Sequence, residues 1–363
     1  MKKTVFLFIL IAFIQFSIQA QNMDFESYNP PSTLVVPENI VTRAKFPFID
    51  VHNHQFGMNS QNLDGLVAEM NDLNMKVMVN LSGRGRGSSE HLLGAIKNVK
   101  DNFPNRFIIF TNVDFDNMDD PNWTENAVKT LEQDVKAGAN GLKIYKSLGL
   151  RHRDKNGKRI TVDDPRIDPV WAKCGELGIP VLIHAADPKP FWEPHDANNE
   201  RWLELKLRSG RKRSDTDPAP WETIIAEQHN VFRKHPNTKF INAHLGWYGN
   251  NLDKLGELMD KYPNMYSEIG AVIAELGRQP RRAKEFLTKY QDRVMFGKDS
   301  YNKEEYYTYF RVLETADEYF PYYKKYHAYW KMYGLDLSDD VLRKLYYKNA
   351  LNVIPNIDKS LFP

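Results

Sequence analysis

The sequence predicts an α/β protein whose core is a distorted (β/α)8 TIM barrel. Eight short apolar runs alternate along the chain with segments of helical periodicity. Strands separated by helices must run parallel, and helices on the outside bury such strands on both faces, which explains the nearly continuous apolar runs. A chain of 363 residues without an internal repeat or a long flexible linker suits one such barrel with insertions.

The N-terminal region is predicted to be a leader followed by an arm. Residues 1–20 contain two lysines, an apolar run of ten residues and Ala20 at the expected cleavage point. Ten apolar residues are too few to span a bilayer, so the pattern is typical of a secretory signal peptide that leaves no membrane anchor. Residues 21–45 are polar and proline-containing. We expect an exported protein, periplasmic or secreted, with one barrel domain over residues 46–363.

The predicted strands cover residues 46–54, 76–82, 106–113, 141–147, 180–185, 239–245, 264–269 and 293–297. The helix before the fifth strand illustrates the intervening segments, since Asp168 can cap it and Gly178 can end it. Cys174, the only cysteine, falls on the apolar face of this helix and is expected to pack there. A long insertion, residues 187–220, follows the fifth strand, and a helical extension ends the chain.

Polar side chains interrupt the apolar runs at the ends of several strands. His52 and His54 stand two residues apart at the end of the first run. Side chains alternate along a strand, so these two imidazoles share a face and can bind one metal ion. His184 ends the fifth run, His244 the sixth, and Asp299 follows the eighth. Because the C-terminal ends of barrel strands meet at one mouth, we expect the five side chains to converge.

Composition limits the partners of the protein. The formal net charge is +2, and no long basic run is present, so the electrostatic footprint of a nucleic-acid-binding protein is missing. A small-molecule substrate is the better expectation. The tyrosine-rich residues 301–333 follow the eighth strand and are expected to cover the rim of the pocket. A role of this segment as a contact surface in a homo-oligomer is an alternative.

The chain resembles the amidohydrolase superfamily, specifically its amidohydrolase-related group of metal-dependent hydrolases and decarboxylases. The matching stretches run in family order over residues 46–355 and are IDVHNH, GLKIYKS, LGIPVLIHAAD, HPNTKFINAHLG, YPNMYSEIG, DRVMFGKDS and LYYKNALNVI. The resemblance implies a divalent metal bound by His52, His54 and His184. Asp299 would bind it or handle a proton beside it, and His244 would contact the metal or the reacting carbonyl.

The expected reaction is hydrolysis of an amide, lactone or ester by a metal-activated water. Asp299 would take the proton of this water, and His244 or the metal would stabilise charge on the carbonyl oxygen. Zinc suits these ligands best, with manganese, iron or nickel as alternatives. A non-oxidative decarboxylase of a small carboxylic acid has the same ligands and stays an alternative, and a non-catalytic metal- or ligand-binding barrel is a third.

Two further polar residues lie on predicted barrel strands. Lys143 on the fourth strand could bridge a second metal ion if carboxylated, or it could pair with a substrate anion or with Asp299. Many relatives resemble mononuclear enzymes, so one ion is favoured over two. Glu268 on the seventh strand is expected to be a buried partner of an arginine such as Arg278.

Substrate contacts are expected from the loops that follow the strands. Arg84 and Arg86 stand among glycines after the second strand, where guanidinium groups could grip a carboxylate, although a solvated loop is the alternative. Trp192 lies in the long insertion and would line the pocket or pack the insertion against the barrel. Trp247 and Tyr248 follow the sixth strand closely and are expected to border the same cavity.

Overall fold

Short parallel strands form the centre of the protein. The computed structural model describes residues 23–85 and 87–363. The strands are β1 (Phe48–Asn53), β2 (Met75–Asn80), β3 (Phe107–Ile109), β4 (Thr111–Asn112), β5 (Leu142–Ile144), β6 (Val181–Ile183), β7 (Phe240–Asn242), β8 (Met265–Glu268) and β9 (Val294–Met295). They lie at the eight predicted positions, because β3 and β4 are two halves of the third. Nearly all of their residues are buried, as expected for parallel strands covered on both faces.

The strands follow one another in sequence order. One sheet contains β1 to β3, a second contains β4 to β9, and every pairing in them is parallel. The two sheets meet at Phe110, whose N–H donates to the carbonyl of Asn80 in β2 at 3.0 Å. At the other boundary, the N–H of Val51 in β1 donates to the carbonyl of Phe296, just after β9, at 3.0 Å. The predicted distorted (β/α)8 barrel is confirmed.

Helices alternate with these strands. They are α1 (Asp64–Leu73), α2 (Ser89–Asn102), α3 (Trp123–Ala137), α4 (Ser147–Leu150), α5 (Asp168–Glu176), α6 (Trp202–Leu207), α7 (Trp221–Lys234), α8 (Leu252–Lys261), α9 (Ile273–Arg278), α10 (Pro280–Lys289), α11 (Lys303–Glu314), α12 (Asp339–Arg343) and α13 (Asn349–Val353). In α8, Leu255 and Met259 are buried, and the side chain of Asn251 caps the first turn. Over residues 23–85 and 87–363, no helix has the length and apolar character required to cross a membrane.

Helix α5 precedes β6, the fifth predicted strand, and follows the pattern predicted from the sequence with one exception. Gly178 lies just past its end with a φ of +67°, a conformation that glycine adopts without strain. Cys174 is buried on this helix. Asp168 does not cap the helix as expected. Its carboxylate accepts hydrogen bonds from Lys234 at 2.6 Å and from His235 at 3.0 Å, and it thereby ties α5 to the end of α7.

Two irregular segments extend from the C-terminal ends of the strands. The insertion between β6 and α7 contains α6 and the 3-10 turns Lys189–Phe191 and Ser209–Arg211. After α11, β10 (Phe320–Pro321) pairs antiparallel with β11 (Lys331–Met332) to form a hairpin. The two segments contact each other through Arg201, which lies 3.1 Å from His327 Nδ1 and stacks on the ring of Trp330 at 5.0 Å.

The chain before residue 36 is a separate unit by its contacts, and the larger unit is Val36–Pro363. Within the first unit, residues Phe25–Ser27 form a 3-10 turn in which the Asp24 carboxylate accepts the N–H of Glu26 at 3.3 Å. The predicted leader lies outside the described residues. The predicted arm and the domain boundary at residue 46 stay predictions.

Candidate metal centre

Five predicted side chains come together at the C-terminal ends of the strands. His52 lies in β1, His54 directly follows it, His184 follows β6, His244 follows β7 and Asp299 follows β9. The ring centres of His52 and His244 are 4.8 Å apart, and those of His184 and His244 are 4.5 Å apart. The Oδ1 atom of Asp299 lies 3.3 Å from His52 Nε2 and 3.8 Å from His54 Nε2. The predicted convergence is therefore present in the structure.

Three of the five side chains form the tightest group. One ligand atom each from His52, His244 and Asp299 lie within 4.8 Å of one another, which is close enough for a single cation to contact all three. His184 stands beside this group, with its Nδ1 atom 3.3 Å from His244 Nε2. The division of roles among the five side chains stays a prediction.

Buried nitrogen atoms mark the position that a cation would take. The Nε2 atoms of His52 and His184 are buried and have no hydrogen-bond partner among the residues that the structure describes. Leaving a buried polar atom unsatisfied costs about 1–3 kcal/mol, and a metal ion would remove that cost. Imidazole and carboxylate donors are ligands that zinc, manganese and iron accept. The residues present therefore fit a divalent metal ion.

Burial keeps three of the histidines in the neutral form that binds metals. Burial, followed by the charge of His52, lowers the pKa of His54 well below its ordinary value. Burial also lowers the pKa of His184 well below its ordinary value and that of His244 to about 4. Hydrogen bonds then fix two of the rings, because Nδ1 of His54 pairs with the Ser82 hydroxyl at 2.7 Å and Nδ1 of His244 donates to the Gly270 carbonyl at 2.7 Å.

Glu268 orients two of these histidines from β8. Its Oε1 atom accepts from His52 Nδ1 at 2.9 Å and from the backbone N–H of His244 at 2.7 Å. Burial raises the pKa of Glu268, but the nearby His52 and His244 outweigh this effect and lower the pKa to about 2. The expectation that Glu268 pairs with an arginine such as Arg278 is wrong, because Arg278 pairs with Glu200 at 2.9 Å. Glu268 holds His52 with Nε2 facing the cation position.

Asp50 stabilises the same strand end from β1. Its Oδ1 atom accepts the backbone N–H groups of His52 at 3.0 Å and of Lys298 at 3.1 Å, and its Oδ2 atom accepts the hydroxyl of Tyr306 at 2.6 Å. The Lys298 side chain points away from the centre and pairs with Glu305. Asp50 therefore joins the ligand strand β1 to the loop that carries Asp299.

The backbone turns sharply where the chain leaves β7 and β9. The φ angle is +57° at His244, +53° at Leu245, +61° at Trp247 and +88° at Asp299. Non-glycine residues with positive φ cost of order 1–3 kcal/mol each and cluster at functional sites. Because a strand needs negative φ, β7 ends at Asn242, earlier than the predicted end of that strand at residue 245. The strained turn is what directs the His244 ring toward the other ligands.

Lys143 lies in β5 near the same mouth of the barrel. It is buried, and its Nζ atom has no hydrogen-bond partner in the described part of the chain. Burial lowers the pKa of Lys143 to about 8. It forms no ion pair with Asp299 among the described residues, so the direct pairing that the sequence left open is not observed. The bridging of a second metal ion by Lys143 stays a prediction.

A cavity of about 300 Å³ opens above the centre. His184, His244 and Asp299 form its floor, and the remaining lining comes mostly from the insertion and the hairpin. We call these two segments, residues 187–220 and 319–333, the roof. The expectation that the tyrosine-rich segment after the eighth strand reaches the pocket rim agrees with this arrangement.

Of the three aromatic residues predicted to lie at the cavity, one lines it and two do not. Trp247 lines it and stacks on His244 with ring centres 4.6 Å apart. Tyr248 instead packs against Trp221 with ring centres 5.4 Å apart. Trp192 donates its indole N–H to a backbone carbonyl within the insertion at 2.8 Å. The expected place of Tyr248 at the border of the cavity is therefore wrong, and Trp192 takes the packing role that was one of its two predicted alternatives.

Arg84 does not reach the cavity. Its guanidinium donates to the Asp134 carboxylate at 2.6 Å and to the Ser89 hydroxyl at 2.5 Å, and its side chain is only 10% exposed. The prediction that Arg84 binds substrate is wrong, because α3 supplies a buried counter-charge that the sequence pattern did not reveal. Arg86 lies outside the described residues, so its predicted substrate contact stays a prediction.

Motif spacing did not identify the charged residues of the cavity wall. These residues are Lys146, Asp187, Arg201, Glu204, Arg211, Lys324 and His327. The positions of Lys146, near the end of the fourth predicted strand, and of Asp187, shortly after the fifth, obey the strand-end rule used for the ligands. The others lie in the insertion and the hairpin segment, where no spacing in the sequence relates a residue of one segment to a residue of the other.

Comparisons with known proteins identify the family and the fold. The family model described as amidohydrolase matches residues 49–355. An uncharacterized TIM-barrel protein from Bordetella bronchiseptica is 15% identical, with a TM-score of 0.53 over 84% of this chain and 97% of that chain. A dihydroxybenzoic acid decarboxylase from Polaromonas sp. JS666, with bound manganese and the inhibitor 2-nitroresorcinol, is 14% identical, with a TM-score of 0.53 over 85% and 96%. No curated protein matches the chain.

A further solved structure, 4-oxalomesaconate hydratase from Rhodopseudomonas palustris, is 15% identical, with a TM-score of 0.50 over 86% of this chain and 97% of that chain. A parallel barrel with histidines and a carboxylate at its C-terminal mouth defines a class of metal-dependent enzymes. Because the family model spans most of the sequence, the chain belongs to the amidohydrolase family. The family and the enzymatic character predicted from the sequence are confirmed.

Proposed function

We propose that the protein is an exported hydrolase that acts on an amide, lactone or ester of a small molecule with the help of a bound divalent metal ion, Zn²⁺ in the first instance. The observation that carries this proposal is the approach of His52, His244 and Asp299 to within 4.8 Å of one another at the floor of a cavity. A divalent ion at this position would lower the pKa of bound water toward about 7 and supply hydroxide at neutral pH.

Asp299 is the residue best placed to move a proton. Its side chain is 37% exposed, whereas that of His52 is fully buried, so its carboxylate meets both the cavity and the ligand histidines. Burial raises the pKa of Asp299, but the hydrogen bond to His52 and the charge of that imidazole outweigh burial and hold the pKa of Asp299 well below its ordinary value. Asp299 is therefore an ionised base that can accept a proton and return it to a leaving group.

His244 is better suited to bind the cation than to donate a proton to a carbonyl oxygen. Its Nδ1 atom carries the proton, because it donates to the carbonyl of Gly270. Neutral His244 consequently presents a lone pair at Nε2. We therefore assign His244 to the metal together with His52, His54, His184 and Asp299.

Decarboxylation of a small carboxylic acid is the second candidate function. The roof supplies three basic side chains to the cavity, Arg201, Arg211 and Lys324. The two arginines are paired with carboxylates, so the charge that a carboxylate substrate would match is that of Lys324. The fold is also similar to that of the dihydroxybenzoic acid decarboxylase with bound manganese. This reaction would use the same ligands, with Mn²⁺ as an alternative to Zn²⁺.

Export is proposed from the leader pattern of residues 1–20. The mature protein would then work in the periplasm or outside the cell, without a membrane anchor. Sequencing of the N-terminus of the exported protein tests this proposal. A mature chain that starts near residue 21 supports it, and a cytoplasmic protein that retains Met1 contradicts it.

Metal analysis of the purified mature protein, followed by activity screening, tests the proposed function. We expect about one divalent ion per chain and turnover of lactones or N-acyl compounds that a chelator abolishes. Release of carbon dioxide from carboxylic acids, without hydrolysis, would select the second candidate. A metal content near two per chain would indicate the bridging role of Lys143. Metal-loaded protein that turns over neither panel contradicts the proposal.

A further inference from the structure

The cationic side chains of the cavity wall are almost all paired with carboxylates. Lys146 pairs with Asp187, and Arg211 pairs with Glu204. Arg201 pairs with Glu204 at 3.0 Å and with Glu275 at 2.5 Å. These pairs neutralise most of the charge that the wall presents, so they stabilise the roof and leave little charge for a ligand.

Lys324 differs from these residues. It lines the same cavity and is partly buried, yet its Nζ atom forms no ion pair or hydrogen bond within residues 23–85 and 87–363. Its closest aromatic contact is the ring of Tyr323, whose centre lies 5.6 Å from Nζ. The neighbouring cation Lys298 is already paired with Glu305. Lys324 is therefore a cationic group of the cavity wall that no carboxylate of the described residues contacts directly, and the charges of Glu305, Asp299 and Glu204 act on it only from a distance.

An ammonium group in this environment is stabilised by an added anion. Burial, followed by repulsion from Lys298, lowers the pKa of Lys324 below its ordinary value. Removing an ammonium group from water without a partner is unfavourable, and a carboxylate that enters the cavity would supply that partner. Arg201, on the same cavity wall, also has a buried Nε atom without a hydrogen-bond partner in the described structure. Both observations indicate a ligand with acceptor oxygens.

We propose that Lys324 binds a carboxylate of the substrate that is distinct from the group that reacts at the metal centre. This inference rests on the proposed function, because the reacting group is assigned to the floor of the cavity and the carboxylate to the roof. A cavity of about 300 Å³ limits the substrate to a small molecule. One unpaired ammonium suits a singly charged carboxylate, whereas a phosphate would call for more donors. The substrate class is therefore small acids with a second, metal-directed functional group.

Calorimetric titration of the Zn²⁺-loaded protein with dicarboxylates from malonate to adipate, and with their monoamides, tests this role. One carboxylate mimics the reacting group and the other meets Lys324. We expect at least one dicarboxylate to bind about tenfold or more tightly than its monoamide, since a hydrogen bond between two charged groups is stronger than one to a neutral amide. Lys324→Met should remove this preference, and Lys324→Arg should restore it to within about threefold. The exposed neighbour Lys325 provides the matched control, and Lys325→Met should bind as the wild type does.

Two results would overturn the role of Lys324. One is equal affinity of every dicarboxylate and its monoamide for the wild type, and the other is an unchanged preference in the Lys324→Met variant. Should Lys324→Met fail to fold, Lys324→Gln provides the same comparison. Metal content measured on the same samples separates this inference from the proposed function. Wild-type protein that binds no metal contradicts the proposed function, whereas a metal-loaded variant with unchanged preference contradicts only the assignment of Lys324.

Discussion

The floor and the roof of the cavity are held together by different interactions. On the floor, short strands of the barrel position the histidines, and buried acids such as Asp50 and Glu268 fix them through hydrogen bonds to backbone and ring nitrogens. In the roof, two segments far apart in sequence are joined by the contacts of Arg201 with His327 and Trp330. Ion pairs with Glu204 and with Glu275 of α9 hold Arg201 in place. The floor therefore depends on the barrel, whereas the roof depends on side chains that meet only after folding.

This difference separates the chemistry of the enzyme from its selectivity. A metal centre needs its ligand atoms at fixed positions, and strand ends hold side chains more rigidly than loops do. Substrate recognition tolerates more variation, and loops supply it on a constant scaffold. We therefore expect changes in the floor to affect metal binding and turnover, and changes in the roof to affect stability and substrate affinity.

The largest effect is expected from Asp299→Asn in the floor. Asparagine keeps the shape of the side chain but cannot accept the proton, so turnover should fall about 10³-fold, equivalent to about 4 kcal/mol, while the metal content is largely retained. Steady-state kinetics and metal analysis of the same preparation measure both quantities. Ser300→Ala, at the next position and also on the cavity lining, is the matched control and should stay within about twofold of the wild type. Near-normal turnover of the Asn variant would refute the role of Asp299.

Arg201→Met should break the roof without disturbing the floor. The arginine side chain is only 4% exposed, and its removal leaves Glu204 and Glu275 as buried acids with one cation fewer. Breaking a buried ion pair costs about 3 kcal/mol, so the free energy of unfolding in urea should fall by about that amount while zinc affinity is unchanged. The exposed Arg208, which stacks on Tyr326 at 5.4 Å, provides the control, because Arg208→Met should lose less than about 1 kcal/mol.

Loss of metal from correctly folded Arg201→Met protein would show that the roof and the floor are one cooperative unit. Mapping the protease cleavage sites of the Arg201→Met variant shows whether the roof loosens independently of the floor. With the roof alone loosened, cleavage should speed up within residues 187–220 and not within the barrel strands.

The fold and the ligand positions could be predicted because both follow from local periodicity. Alternating side chains put His52 and His54 on one face, and the rule that barrel strands end at one mouth grouped them with His184, His244 and Asp299. These arguments need no knowledge of which strand lies beside which. They also produced the correct strand positions, although they extended the sixth strand past the positive-φ turn at His244.

The remaining contacts depend on pairings between distant parts of the chain. Glu268 meets His52 across 216 positions, and Arg201 meets His327 across 126 positions. A single sequence contains no pattern that links such residues, so it suggests an arginine partner for Glu268 and either a substrate contact or a solvated loop for Arg84, and the structure shows neither. In both cases the role of the residue depends on the buried group with which it pairs. Only the folded structure shows which residue that partner is.

Glu268→Gln is the converse of Arg201→Met, because it should weaken metal binding in the floor and leave the ion pairs of the roof intact. The glutamate accepts from His52 and His244 at Oε1 and from the N–H of Gly270 at 2.5 Å at Oε2. Glutamine has one acceptor oxygen, so its amide NH₂ must face one of these donors, and the lost negative charge also weakens the orientation of His52. Loss of such a partner behind a metal-binding histidine lowers metal affinity about 10- to 100-fold.

Competition with a chromophoric chelator measures the zinc affinity of this variant, and Glu275→Gln is its matched control. Glu275 is also a buried glutamate, but it pairs with Arg201 in the roof. The control should therefore keep the zinc affinity of the wild type and lose stability instead. If both variants lost zinc affinity equally, the charge of Glu268 would have no specific effect on His52, and the metal centre would depend on the total negative charge around the cavity. If only Glu268→Gln loses zinc, the orientation of one imidazole by one carboxylate accounts for the strength of the site.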